Sequence, residues 1–188
     1  MGQEPRQKYI EEFKKADSEF VQTPSMDIGV WVANQNWYFY REFLDSYEKE
    51  FKTEYSWLWR KKELPPIQAD VTFTVEKLND KQVKILLTSD NKSDFIADLQ
   101  VGYTTQFASV TDRLLSLGRS CMVATTNICF DSDAYSSIGY PSSSTEYIPV
   151  KMSQGIGEVV LTAEYGQGVQ LKVEDVKYMG ALPAFYLN

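Results

Sequence analysis

The sequence predicts an α+β fold, with N-terminal helices, one of them long and aromatic, packed on a mostly antiparallel sheet buried on one face. Three observations carry this expectation. Apolar residues in the first third of the chain step by three and four, the helical period. From Ile67 onward they mostly alternate with polar residues, the strand period. No strand–helix–strand rhythm interrupts the second region, and one-sided alternation suits antiparallel pairing. With 188 residues, the chain is expected to form a single α+β domain over 1–188.

Tyr9, Ile10, Phe13, Ala16 and Phe20 recur at helical spacing within residues 5–22. The segment 1–22 is therefore expected as an N-terminal helix, peripheral to the core and ended by Pro24-Ser25. Ile28–Ala33 is a short apolar run and reads as a buried strand. Residues 36–62 predict the long helix. Trp37, Tyr40, Leu44, Tyr47, Phe51, Tyr55 and Leu58 fall within about 40° of one direction on a helical wheel. Asn34 or Asn36 can cap its start, and Pro65-Pro66 forbids its continuation. On this reading Phe51 is central to the core, and Phe51→Ala is expected to cost about 3–5 kcal/mol.

The period then becomes two. Strands are expected around Ile67–Val75, Val83–Leu87, Phe95–Tyr103, Met122–Phe130 and Ile148–Met152. A helix is expected over 108–117, with Val110, Leu114 and Leu117 on one side and Gly118 as its stop. Residues 131–145, rich in serine, read as a long loop. Val159–Tyr165 and Val169–Val173 read as the arms of a hairpin across Gly166-Gln167-Gly168. A phase slip after Val173 predicts a bulge near Glu174-Asp175.

Composition restricts function. The chain has no histidine, which removes the commonest metal ligand, the usual general base and every Ser-His or Cys-His nucleophile pair. No metal and no cofactor is expected. The two cysteines, Cys121 and Cys129, read as free thiols, since one continuous strand would hold them roughly 26 Å apart. A net charge of −7 disfavours nucleic acid. The basic cluster Arg60-Lys61-Lys62 reads as a helix end. No apolar run spans a membrane and the N-terminus is no signal peptide, so a soluble protein is expected, with its compartment open.

Short motif matches are weak. Ser46–Lys49 fits S-x-x-K and Ser89–Asn91 fits S-D-N, two of three serine β-lactamase motifs, without the K-T-G. Tyr147 and Lys151 fit Y-x-x-x-K, but Pro149 opposes the helix that this chemistry requires. Asp131 and Asp133 open like a calcium loop, which then lacks its glycine and its final glutamate. Gly29-Val30-Trp31 is similar to the opening of lipocalin barrels over three residues.

The positive feature is aromatic clustering. All four tryptophans lie between Trp31 and Trp59. Tyr38, Phe39 and Trp57 point off the main helical stripe. Together with Trp59 they form the candidate interaction surface. Three functions follow in order. The first is a non-enzymatic structural or interaction protein, a self-associating or partner-bound subunit of a virion or other assembly. The second is a binding domain that holds a small apolar ligand or a sugar between the aromatic helix and the sheet. The third is a hydrolase built on two carboxylates.

Overall fold

The computed structural model describes residues 3–24, 32–62, 67–131, 135–166 and 168–185. It is a mixed fold dominated by antiparallel sheet, with 56% strand and 20% helix. Two compact units divide the chain, unit 1 up to residue 66 and unit 2 from residue 67.

Unit 1 contains α1 (Gln3–Ala16), β1 (Phe20–Pro24), α2 (Trp37–Ser46), β2 (Tyr47–Lys52) and β3 (Ser56–Lys61). The strands form one antiparallel sheet in the order β1-β3-β2. The long helix expected over 36–62 is thus corrected to a helix followed by a hairpin. Trp37, Tyr40, Leu44 and Tyr47 are buried as their helical stripe requires. Beyond Tyr47 the backbone is extended. Thr53 makes the turn: its Oγ1 accepts from the Ser56 amide at 2.9 Å, and its amide donates to the Ser56 carbonyl at 2.8 Å. A bulge between Lys49 and Phe51 shifts the strand phase by one. A spacing of four suits a strand as well as a helix, and the bulge turns Phe51 away from the buried face of Tyr47, so that Phe51 and Tyr55 are exposed. Aromatic residues also favour strand where a sheet is available to pair with.

Asn36 precedes α2, but its side chain does not cap it; Nδ2 donates back to the Val32 carbonyl at 3.0 Å. Lys62 serves the other end, donating from Nζ to the Leu44 carbonyl at 2.7 Å. A cation there suits the helix dipole, while burial pulls the lysine pKa down. The N-terminal helix is shorter than expected. Asp17 adopts a left-handed φ of 47°, and Phe20–Pro24 pairs with β3 instead of continuing α1. Residues 32 and 33 are helical; the rest of the strand expected at Ile28–Ala33 lies outside the described residues.

Unit 2 contains β4 (Val71–Lys77), β5 (Gln82–Ser89), β6 (Phe95–Phe107), α3 (Val110–Leu115), β7 (Cys121–Thr126), β8 (Ser136–Tyr140), β9 (Ser143–Met152), β10 (Ile156–Glu164) and β11 (Val169–Pro183). One sheet has the order β4-β5-β10-β7-β8 and the other the order β11-β6-β9. Their inner faces share one core, to which β6 contributes Phe95, Ala97, Leu99, Val101 and Tyr103. The alternation read from the sequence is this core. The bulge falls between Val173 and Asp175, as the phase slip predicts.

Three expectations change in unit 2. The described residues of the Ser-rich stretch 131–145 are largely strand: β8 pairs with β7, and β9 begins at Ser143. Hydroxyl pairs across the ladders, Thr125 with Ser137 and Thr104 with Ser143, hold these polar strands at 3.3 Å. The strand expected through Phe130 ends at Thr126, although Ile128 and Cys129 remain buried. β10 and β11 are not a hairpin. β10 pairs with β5 and β7, whereas β11 pairs with β6 in the other sheet. The glycine-flanked connection therefore carries the chain from sheet to sheet. Ser116 and Asp112 pack against Gly166 and Gly168, where added side chains would collide with them.

Tyr178 closes one end of unit 2 by donating its hydroxyl to the Ala69 carbonyl at 2.9 Å. Burial, and then the carboxylates of Asp70 and Asp98, push its pKa up to about 12. The folded chain holds this proton more tightly than the unfolded chain, whose tyrosines titrate near 10. The resulting stabilisation is complete below pH ~10 and is lost as pH rises towards ~12. Solvent screening of this half-exposed side chain reduces the effect, so urea unfolding should show a fall on the order of 1 kcal/mol across that window that Tyr178→Phe does not share. Equal slopes in the two proteins would contradict it.

Candidate functional site

In unit 1, α1, α2 and β1 enclose a groove of about 390 Å³. Tyr9 and Phe13, one turn apart on α1, form one wall. Tyr38, Phe39 and Tyr40 of α2 form the second, and Val21–Pro24 of β1 the third, with Val32 and Asn36 beside them. The rings brace one another. Phe39 lies 5.3 Å from Tyr9 and 5.0 Å from Phe13, the latter edge to face. The Arg6 guanidinium sits 4.8 Å over the Tyr38 ring. Burial, and then Tyr9, raise the Tyr40 pKa above the ordinary tyrosine value.

The polar groups around the groove serve the fold. Thr23 Oγ1 accepts from Trp59 Nε1 at 2.9 Å. Gln22 Nε2 donates to Ser56 Oγ at 2.7 Å. The rest of the lining is the five aromatic side chains together with Val21, Pro24 and Val32.

Of the four residues nominated from the sequence, Tyr38 and Phe39 line this groove. Trp57 and Trp59 are buried in the core of unit 1, with ring centroids 5.4 Å apart. Trp59 packs edge to face on Phe43 at 5.0 Å, and the Lys49 ammonium lies 4.3 Å over Trp57. Their off-stripe direction exists on a helical wheel; β3 is a strand. The α1 and β1 walls escaped the sequence reading. The i,i+4 pair Tyr9 and Phe13 was the available signal, but an isolated amphipathic helix does not reveal what it faces.

Among the described residues, the other motif positions are not brought together as their motifs require. Ser46 ends α2 and Lys49 lies in β2, so no helix carries both. Ser89 Oγ donates to the Asp70 carbonyl at 2.7 Å. Tyr147 and Lys151 lie on strand β9. Asp131 accepts a bond from Cys129 Sγ at 2.7 Å, while Asp133 and the lipocalin-like Gly29-Val30-Trp31 lie outside the described residues. Both cysteines are free, and burial raises both thiol pKa values. Among the described residues, no three His, Cys, Asp or Glu side chains come together as a metal would need. No helix among them is long and apolar enough to cross a membrane.

Comparison with family models, with curated proteins and with solved structures finds no match to this chain.

Proposed function

We propose that this chain is a non-catalytic binding protein whose unit 1 groove takes a small, ring-bearing apolar ligand. The observation that carries the reading is the aromatic lining itself: Tyr9, Phe13, Tyr38, Phe39 and Tyr40 around one cavity of ligand size. A sugar would need several convergent donors and acceptors. Here the Thr23 hydroxyl and the amide donors of Gln22 and Asn36 already hold internal bonds. An apolar ring asks for none of them and gains offset or edge contacts with the lining. The assembly reading is favoured by a different feature, the exposed apolar side chains of α3 in unit 2, including Leu114 and Leu115.

The test uses the neutral fluorescent probe N-phenyl-1-naphthylamine. Its emission should rise saturably with one equivalent of protein. Tyr9→Ala and Tyr38→Ala should each weaken binding by about tenfold, roughly 1.4 kcal/mol, while Tyr55→Ala, exposed and outside the groove, should leave it unchanged. Non-saturable binding, or equal affinity in all three variants, would overturn the proposal.

A further inference from the structure

We propose that β4 is a docking edge, and that a second copy of this chain adds its own β4 to it, antiparallel, across a two-fold axis at Thr74. β4 ends its sheet, with β5 on one side and, among the described residues, no strand on the other. It runs from Val71 to Lys77, pairs with β5 without a register shift, and contains no proline or glycine. The other outer strands of unit 2 are blunted. β9 carries Pro149, β11 shifts register twice against β6, and β8 is short and serine-rich. Prolines, bulges and short polar strands are how sheet edges avoid pairing, and β4 has none of them.

The ladder fixes which groups the open edge presents. The Leu78 amide donates to the Gln82 carbonyl at 3.0 Å, so these two form a hydrogen-bonded pair. Bonded pairs alternate along an antiparallel ladder, so Thr72, Thr74 and Glu76 spend their amides and carbonyls on β5. Val71, Phe73, Val75 and Lys77 turn theirs outward. A two-fold axis at Thr74 sets Phe73 opposite Val75 of the second copy, and Val71 opposite its Lys77. All four outward-turned residues then bond in pairs.

Side chains suit the same register. Phe73 is half-buried against the core of unit 2, whereas Val75 is 47% exposed. Beside Val75 a slot of about 360 Å³ opens between β4 and β11, with Val75, Val83, Leu171 and Val173 in its lining. The lysines of the slot are matched by acids, Lys77 by Asp80 at 2.6 Å and Lys172 by Glu174 at 4.0 Å. The slot therefore suits an apolar group and not an anion. In this register Phe73 of the second copy stands one strand spacing, about 4.8 Å, from Val75 and on the same face. It enters the slot, and the two-fold repeats the contact in the other copy. One strand thus supplies both knob and socket, the self-complementarity that a two-fold interface requires. No like charges face each other, since Glu76 meets Thr72 and Lys77 meets Val71. A foreign strand offers the same main-chain bonds without this match of side chains.

The experiment is sedimentation velocity on the full chain over a concentration series, with a disulfide trap beside it. A dimer is expected, and its association should tighten with added salt, which screens the charge of −7 on each copy. Val75→Pro removes an outward amide, and Thr74→Lys brings two ammonium groups face to face at the axis. Each should raise the dissociation constant by about tenfold. Both positions are exposed, so far-ultraviolet circular dichroism should be unchanged. Thr74→Cys should oxidise to a covalent dimer, because facing residues of a non-bonded pair stand about 4.5 Å apart at Cα. Glu76→Cys, which faces Thr72, should not. A chain that stays monomeric throughout the series overturns the proposal. So does a dimer that is indifferent to Thr74→Lys and is not trapped through Thr74→Cys, which would place the interface elsewhere. All these residues belong to unit 2, so the probe assay on unit 1 is read independently.

Discussion

Phe43→Ala is expected to destabilise unit 1 by about 3–5 kcal/mol, and Phe51→Ala by less than about 1. The two phenylalanines differ in their surroundings. Phe43 is fully buried and stacks on Tyr47 at 5.1 Å, meets Trp59 edge to face at 5.0 Å and touches the rings of Phe13, Phe39 and Tyr40. Truncating it removes the ring that joins α1, α2 and β3, leaving a cavity that five rigid aromatics cannot collapse to fill. Phe51 stands on β2 and is 52% exposed, so truncation forfeits little burial. A single long helix would reverse this ranking, since Phe51 would then sit at the centre of its buried stripe. All four tryptophans belong to unit 1, so intrinsic fluorescence during urea unfolding reads this unit directly. A large loss at Phe51 with a small one at Phe43 would contradict the hairpin.

The strands of unit 2 were legible because alternation and burial coincide there. Phe95, Ala97, Leu99, Val101 and Tyr103 are apolar in sequence and turn to the core in the structure. Pairing was not legible. Val159–Tyr165 and Val169–Val173 flank a glycine pair whether the chain closes a hairpin or crosses between sheets. The choice depends on β5, β7 and β6, which compete for the same edges. Serine-rich β8 is not legible in the sequence because a polar edge strand lacks the apolar signal by which strands are recognised. In unit 1 the helical period holds to Tyr47, so a helical wheel places Tyr38 and Phe39 relative to the buried Trp37, Tyr40 and Leu44. It breaks at the Lys49/Phe51 bulge, so a helical wheel sends Trp57 and Trp59 to a surface whereas β3 buries them. The groove was half legible for the same reason: its α2 wall follows a helical wheel, whereas its β1 wall depends on Asp17 ending α1.

Gly155→Ala is expected to cost about 2–4 kcal/mol, against about 1–2 for Gly118→Ala. Both glycines occupy the left-handed region, at φ 78° and 67°. A side chain at either position therefore carries the same conformational penalty. Their surroundings differ. Nothing lies within 4 Å of a Cβ placed at Gly118. A Cβ at Gly155 would strike the Ser89 carbonyl oxygen and the Lys92 side chain. Lys92 can swing away, but Ser89 is backbone at the end of β5. It is fixed there because its amide donates to the Gly155 carbonyl at 2.9 Å. The turn Ser153–Ile156, with positive φ at both Gln154 and Gly155, thus latches the β9–β10 connection onto β5. The methyl group must either break that latch or push β5 out of register with β10, which it pairs from Thr88 to Gln82. Urea unfolding followed by far-ultraviolet circular dichroism, with both variants measured side by side, separates the steric cost from the conformational one. Equal losses in the two variants would mean that the turn does not press on β5.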